Sequence, residues 1–183
     1  MNMKTTITAL KLFLMLSIVT GIMYPLLVWG YAYAFFKEKT SGGLIMREGK
    51  TIGAELIGQK FTKPEYFWPR PSATDYNPLP SGGSNLSLTS KQLLATMAER
   101  KAKYGKNAPA DMLYASGSGL DPHISPQAAR MQCARVAKAR GVAEVDIISL
   151  SESMTEPRQF GLLGEPRINV LELNLKLDEK YGR

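Results

Sequence analysis

The chain has 183 residues, 44% of them hydrophobic, and a formal net charge of +7, of which +5 remains once Lys4 and Lys11 are set aside. The charges are interspersed, with no block of five or more of one sign, which argues against a nucleic-acid partner. A single cysteine, Cys133, excludes an intrachain disulfide framework and a cysteine-rich metal site; inside a helical pattern it reads as a small buried apolar side chain.

After a short leader (1–11), Leu12 to Phe36 is a run of 25 residues without a charged side chain, bracketed by Lys11 and Lys37. As a helix it reaches about 37 Å, enough to cross a hydrocarbon core of about 30 Å with tilt. A basic start at Lys4 and Lys11 and the Ala32-Tyr33-Ala34 triplet also resemble a cleaved secretory signal, but the apolar run exceeds the roughly 7–15 residues of a signal core. The expectation is therefore an uncleaved transmembrane helix over 12–36, followed by one soluble α/β (α+β) domain over 37–183. Pro25 is compatible with a membrane helix. Gly21 and Gly30 are too, and they are candidate points of close approach for a neighbouring helix. The flanking charges leave orientation open, because Lys37, Lys39, Arg47 and Lys50 balance Lys4 and Lys11, and long domains translocate largely regardless of charge.

Within the domain, Leu44-Ile45-Met46, a turn around Glu48-Gly49, Thr51-Ile52 and Leu56-Ile57 predict a short hairpin. The segment 62–90 carries five prolines and Gly82-Gly83, so it is expected to be one long loop, packed down by Tyr66-Phe67-Trp68. Ser90 predicts the cap of a helix running to about Tyr104 and ended by Gly105, and Met112-Leu113-Tyr114 a short strand. Ser125, Pro126 and Gly141 bound the clearest helix, with Lys138 and Arg140 in its last turn; another is expected from about Ala143 to Met154. In the tail, Leu171, Leu173, Leu175 and Leu177 alternate like a strand, whereas Asn169 with Glu172 resembles a capping pair; we take it as a helix.

The sequence has no G-x-x-x-x-G-K-[ST] phosphate loop, no H-E-x-x-H and no G-x-S-x-G. A serine triad through His123 would need Asp121 with Ser116 or Ser118 folded around a tight turn, and zinc would find two ligands where it needs three or four. The default reading of Asp121 and His123 is a turn with a polar side chain capping the helix after it. No catalytic and no metal-ligating residue is assigned. The segments Ser81-Gly82-Gly83-Ser84-Asn85 and Ala115-Ser116-Gly117-Ser118-Gly119 read either as anion nests or as tight turns, and neither has a following lysine.

Taken together, several segments resemble one family. They are Tyr24-Pro25-Leu26, Leu56-Ile57-Gly58-Gln59, Tyr66 to Ala73, Tyr76-Asn77-Pro78, Ser81 to Leu86, Ala115 to Pro126, Arg135 to Arg140 and Gly164 to Asn174. The family is KdpC, the C subunit of the Kdp potassium-transporting P-type ATPase; Pro69 departs from it, standing where the family commonly has glycine. The resemblance implies a non-catalytic accessory subunit of a high-affinity potassium uptake pump. Its partners would be a pore-forming potassium-binding subunit, an ATP-hydrolysing subunit and a small one-helix subunit, with the lipid bilayer around the span. It further implies a cell inner-membrane location, with a cytoplasmic N-terminus and a periplasmic domain. No cofactor of its own is implied, potassium being the transported ion. The family is also described as a catalytic chaperone that raises ATP affinity, with Ser81, Gly82, Gly83, Ser84 and Asn85 likened to a nucleotide-binding signature. A periplasmic domain cannot touch cytoplasmic ATP, so such an effect would have to be allosteric. Partner-contact candidates are Gly21, Gly30, Arg70, Asp121 and His123. Arg70 either anchors a partner through its guanidinium or pairs with Asp121 inside the domain.

Overall fold

The computed structural model describes residues 3–47 and 49–182. It divides into two compact units, the first ending at Leu44 and the second starting at Ile45.

The first unit is built on α1 (Met3–Ile18) and α2 (Tyr24–Phe35), joined through a π-helical turn at Val19–Met23 into one helix of 33 residues, Met3–Phe35. The wider turn ends just before Pro25, whose ring would otherwise press on the carbonyl of the preceding turn. Thr20 is accommodated by donating its hydroxyl to the Leu16 carbonyl at 2.8 Å. None of the helix's side chains is buried. From Leu12 on it is apolar all round, which suits a lipid environment rather than a core. Near its end Trp29 stacks on Tyr33 and Tyr31 meets Phe35, with the Lys37 ammonium 5.8 Å from the Tyr33 ring; aromatics and a cation grouped in this way favour a headgroup layer. A short helix α3 (Lys37–Thr40) comes next.

The paired strands β1 (Leu44–Arg47), whose first residue still belongs to the first unit, and β2 (Lys50–Ala54) come next. Of the turn predicted at Glu48-Gly49, Glu48 lies outside the described residues. β2 stops at Ala54, so Leu56-Ile57 is not strand but turn, closed by Ile57 N–H donating to the Ala54 carbonyl. The Asn169 amide draws this segment away from the hairpin by donating to the Glu55 carbonyl at 2.6 Å.

Segment 62–90 contains no helix or strand, as expected. α4 (Lys91–Tyr104) is capped by the Ser90 hydroxyl and stops at Gly105. Met112-Leu113-Tyr114 is not a strand: Ala110–Leu113 form one helical turn, α5, after Pro109, with Met112 and Leu113 buried. Three apolar residues carry no period, and Asp111 beside them is engaged in capping.

β3 (His123–Ile124) and β4 (Ile168–Asn169) pair antiparallel, His123 opposite Asn169 and Ile124 opposite Ile168. Between them lie α6 (Pro126–Arg140) and α7 (Glu144–Ser153), and after them α8 (Val170–Tyr181). The conflict in the tail resolves as a helix because Asn169 accepts the Glu172 N–H and starts it. α6 ends on Gly141 in the left-handed conformation, and buries a stripe of mostly small residues that includes Ala128, Ala129, Cys133 and Ala137. That stripe joins Phe67, Ile124, Ile147, Leu173 and Leu177 in one core. Cys133 is fully buried, and burial pushes its thiol above its ordinary pKa.

Candidate partner-docking site

Two of the segments that carry the resemblance, Tyr66 to Ala73 and Ala115 to Pro126, are brought together in the structure. The Ser116 N–H donates to the Pro71 carbonyl at 2.9 Å and the Tyr76 hydroxyl to the Arg70 carbonyl at 2.5 Å. Gly58 N–H donates to the Leu120 carbonyl at 2.7 Å, and the backbones approach so closely that a Cβ on Gly58 would lie 2.6 Å from the Asp121 carbonyl oxygen. Gly119 has φ +74° and faces Thr74 and the Gly82 carbonyl, so a side chain there is both strained and obstructed.

The first loop keeps its shape without belonging to a sheet. A buried side-chain amide on each of two helices mimics a strand partner. Asn174 of α8 accepts from Phe67 N–H at 2.8 Å and donates to its carbonyl at 3.0 Å; Gln132 of α6 does the same for Trp68 at 2.8 and 3.0 Å. These bonds satisfy four backbone groups that would otherwise be costly to bury. Arg135 donates to the Pro64 and Tyr66 carbonyls and lies 3.8 Å over the Trp68 ring. Burial brings its pKa down to about 10, so it stays charged at neutral pH. Arg140 donates to the Glu65 carbonyl and pairs with Asp178 at 2.8 Å, both side chains nearly buried. Asn174, Arg135 and Arg140 lie inside the segments that carry the resemblance and Gln132 lies outside them; in none of the four did the sequence give a sign that it holds a loop.

Arg70, Asp121 and His123 converge. Arg70 Nη1 donates to Asp121 Oδ2 at 2.8 Å, so the intradomain pairing is present, while Arg70 Nε is buried without a hydrogen-bond partner among the described residues. Asp121 Oδ1 accepts the His123 N–H at 3.0 Å and lies 3.5 Å from His123 Nδ1, which closes the expected turn, but the cap of the helix after it comes from Ser125 and not from Asp121 or His123. Partial burial, the largest single influence, raises the Asp121 pKa. The hydrogen bonds from His123 and Arg70 together with the Arg70 charge outweigh it and hold the carboxyl at about 2. Beside them Asp111 accepts from both the N–H and the hydroxyl of Ser125 at 2.7 and 3.1 Å, fixing the start of α6. These groups line an open cleft of about 320 Å3 that continues to Glu165 and Arg167. Nothing in the sequence pointed to Asp111 or the 165–167 segment as neighbours of this cleft.

Ser118 Oγ accepts from Leu120 N–H at 3.1 Å and Ser116 is buried, so both serines serve the turn. Among the described residues no three His, Cys, Asp or Glu side chains gather into a metal-binding group. The two glycine-serine segments lie side by side, a Cβ on Gly83 reaching within 3.0 Å of the Gly117 carbonyl oxygen. Gly83 and Ser84 border a cavity of about 390 Å3 with Gln92, Thr96 and Arg100. Among the described residues Arg100 is the one cation lining that cavity, and its guanidinium already donates to the Leu113 carbonyl. Gly21 and Gly30, in the other unit, have open space where a side chain would stand.

An apolar helix of spanning length followed by one α/β domain is the architecture of a single-span membrane protein. Comparison supplies the family: the chain belongs to the KdpC family, K+-transporting ATPase, c chain, whose sequence profile matches residues 6–179. Among similar proteins, the potassium-transporting ATPase KdpC subunit of Leptospira interrogans is 48% identical, covering 95% of this chain and 93% of its own. That of Trichlorobacter lovleyi is 48% identical, covering 96% and 98%, and that of Rhodospirillum rubrum 49%, covering 98% and 97%.

Proposed function

We propose that the chain is an accessory, non-catalytic subunit of an ATP-driven potassium uptake pump. It works beside a pore-forming subunit, an ATP-hydrolysing subunit and a small one-helix subunit. Residues 12–36 span the inner membrane from a cytoplasmic leader, and the domain over 37–183 stands in the periplasm. There it supports assembly and covers the potassium entrance, with the Arg70, Asp121 and His123 cleft facing the partner. The observation that carries this reading is the near full-length match to proteins named as potassium-transporting ATPase subunits.

The test is co-expression of the full chain with the other pump subunits, then co-purification and potassium-stimulated ATP hydrolysis. Omitting the chain should abolish a stable complex; an intact, fully active pump without it rejects the proposal. In the span, Gly21→Leu with Gly30→Leu should weaken co-purification, since each glycine has open space around it within this chain and only a neighbour would be displaced. Unchanged assembly would remove the small-residue contact.

A second reading, direct action on ATP, draws on the cavity that Ser84 and Arg100 line. We favour its absence, because one engaged arginine is a poor match for a triphosphate. Millimolar ATP should leave the melting temperature of the chain unchanged; a saturable rise abolished by Ser84→Ala or Asn85→Ala would restore direct binding.

A further inference from the structure

Between α7 and β4 the chain forms a self-braced loop. Glu156 and Arg167 exchange backbone hydrogen bonds at 2.8 and 3.1 Å, and nearer the tip Gln159 and Leu163 do the same at 2.9 Å each. Two ion pairs tie its sides, Arg158 to Glu165 with bonds of 2.8 and 2.7 Å and Arg167 to Glu156 at 2.9 Å. At the tip Phe160, Leu162 and Leu163 are 93%, 79% and 60% exposed. Phe160 holds φ +54°, an uncommon conformation for an aromatic residue, and at that exposure little packing inside the chain offsets it.

We propose that Phe160, Leu162 and Leu163 form an apolar anchor that seats in an apolar pocket of another protein subunit of the same assembly. This rests on the accessory-subunit reading above. Three features favour a protein over a lipid surface. The charges of the loop cancel in pairs and offer no net attraction to anionic headgroups. A fluid bilayer does not select one loop shape, whereas this loop is fixed in one by four backbone bonds and two ion pairs. The base of the loop, Glu165 to Arg167, also lines the charged cleft of Arg70, Asp121 and His123, so one partner can cover an apolar anchor and a polar flank together.

The experiment uses the full chain co-expressed with the pump subunits. Phe160→Ser with Leu162→Ser should lower the recovered complex by about tenfold, as loss of a buried aromatic anchor does, while the melting temperature of the chain alone stays unchanged. In parallel, Phe160→p-benzoylphenylalanine, irradiated in native membranes, should cross-link to a pump subunit. Full recovery of complex with the double variant overturns the anchor, as does cross-linking only to lipid or only to a second copy of this chain. A fall in melting temperature without a subunit cross-link makes the tip structural and also overturns it. If the unsubstituted chain does not co-purify with the pump, the functional reading itself has failed; if it does and the variant matches it, only the anchor has.

Discussion

Two loops of this domain are rich in proline and glycine and lack regular structure, yet they are ordered in opposite ways. The loop around Tyr66-Phe67-Trp68 is held from outside, by Asn174, Gln132, Arg135 and Arg140 reaching out from helices to its backbone. The loop from Glu156 to Arg167 holds itself, by pairing its own backbone and its own charges. The consequence is where their aromatics go: Phe67 is fully buried in the core, and Phe160 is almost fully exposed. A loop fastened from outside spends its side chains on the fold, while a self-fastened loop leaves them for something else.

Matched truncations give the sharpest test of that contrast. Phe67→Ala should destabilise the chain by about 3–5 kcal/mol, the usual cost of emptying a packed aromatic site, whereas Phe160→Ala should change stability by less than about 0.5 kcal/mol. Denaturant unfolding in detergent measures both, and similar losses at the two positions would erase the distinction. Next in size is Asn174→Leu, which keeps the volume but leaves the Phe67 N–H and carbonyl unpaired; two orphaned backbone groups should cost about 2–4 kcal/mol. A near-neutral result would show that water replaces the amide.

A smaller effect separates the cleft from both loops. The Asp121 carboxyl is held at about 2 against an ordinary 3.8, so the native state favours its ionised form. Its contribution is fully present above about pH 4 and is lost as the pH falls towards 2, amounting to about 1–2 kcal/mol. Asp121→Asn should lower stability at neutral pH and flatten the acid limb of the stability curve between those values. An unchanged acid limb would mean that the bonds from Arg70 and His123 do not favour the charged form.

The regular parts of this fold were legible because their signals are local. Ser90, Ser125 and Asn169 each accept the N–H three residues on, Gly105 and Gly141 stand at helix ends, and the apolar run spells out the first helix. Met112-Leu113-Tyr114 and Leu56-Ile57 misled because short apolar runs lack a period, and each is overruled by a distant partner: Asp111 caps Ser125, and Asn169 pulls on Glu55. In the cleft, the Arg70 and Asp121 pair was one of two readings the sequence allowed. The clamps were not legible at all, since Gln132 and Trp68 meet across 64 positions of sequence and polar residues on a helix read as solvent-facing. The stretch between α7 and Ile168 predicted no element, because its order comes from pairings that composition does not show.

The smallest effect tests whether Phe160 is strained. Its φ of +54° costs an L-residue with a Cβ about 1 kcal/mol relative to glycine. Phe160→Gly removes that cost but loosens the unfolded chain by about 0.5–1 kcal/mol, so the net change from the unsubstituted protein should be near zero. Phe160→Ala removes the ring and keeps the Cβ, and therefore retains the strain. The informative quantity is the difference between the two variants, since both lose the same exposed ring. If the strain exceeds the glycine entropy term, Phe160→Gly should be equal to or more stable than Phe160→Ala in denaturant unfolding. A glycine variant less stable by about 1 kcal/mol, the ordinary glycine penalty, would show that the left-handed backbone is not imposed in solution. The tip would then be a loop that adopts its shape only on contact.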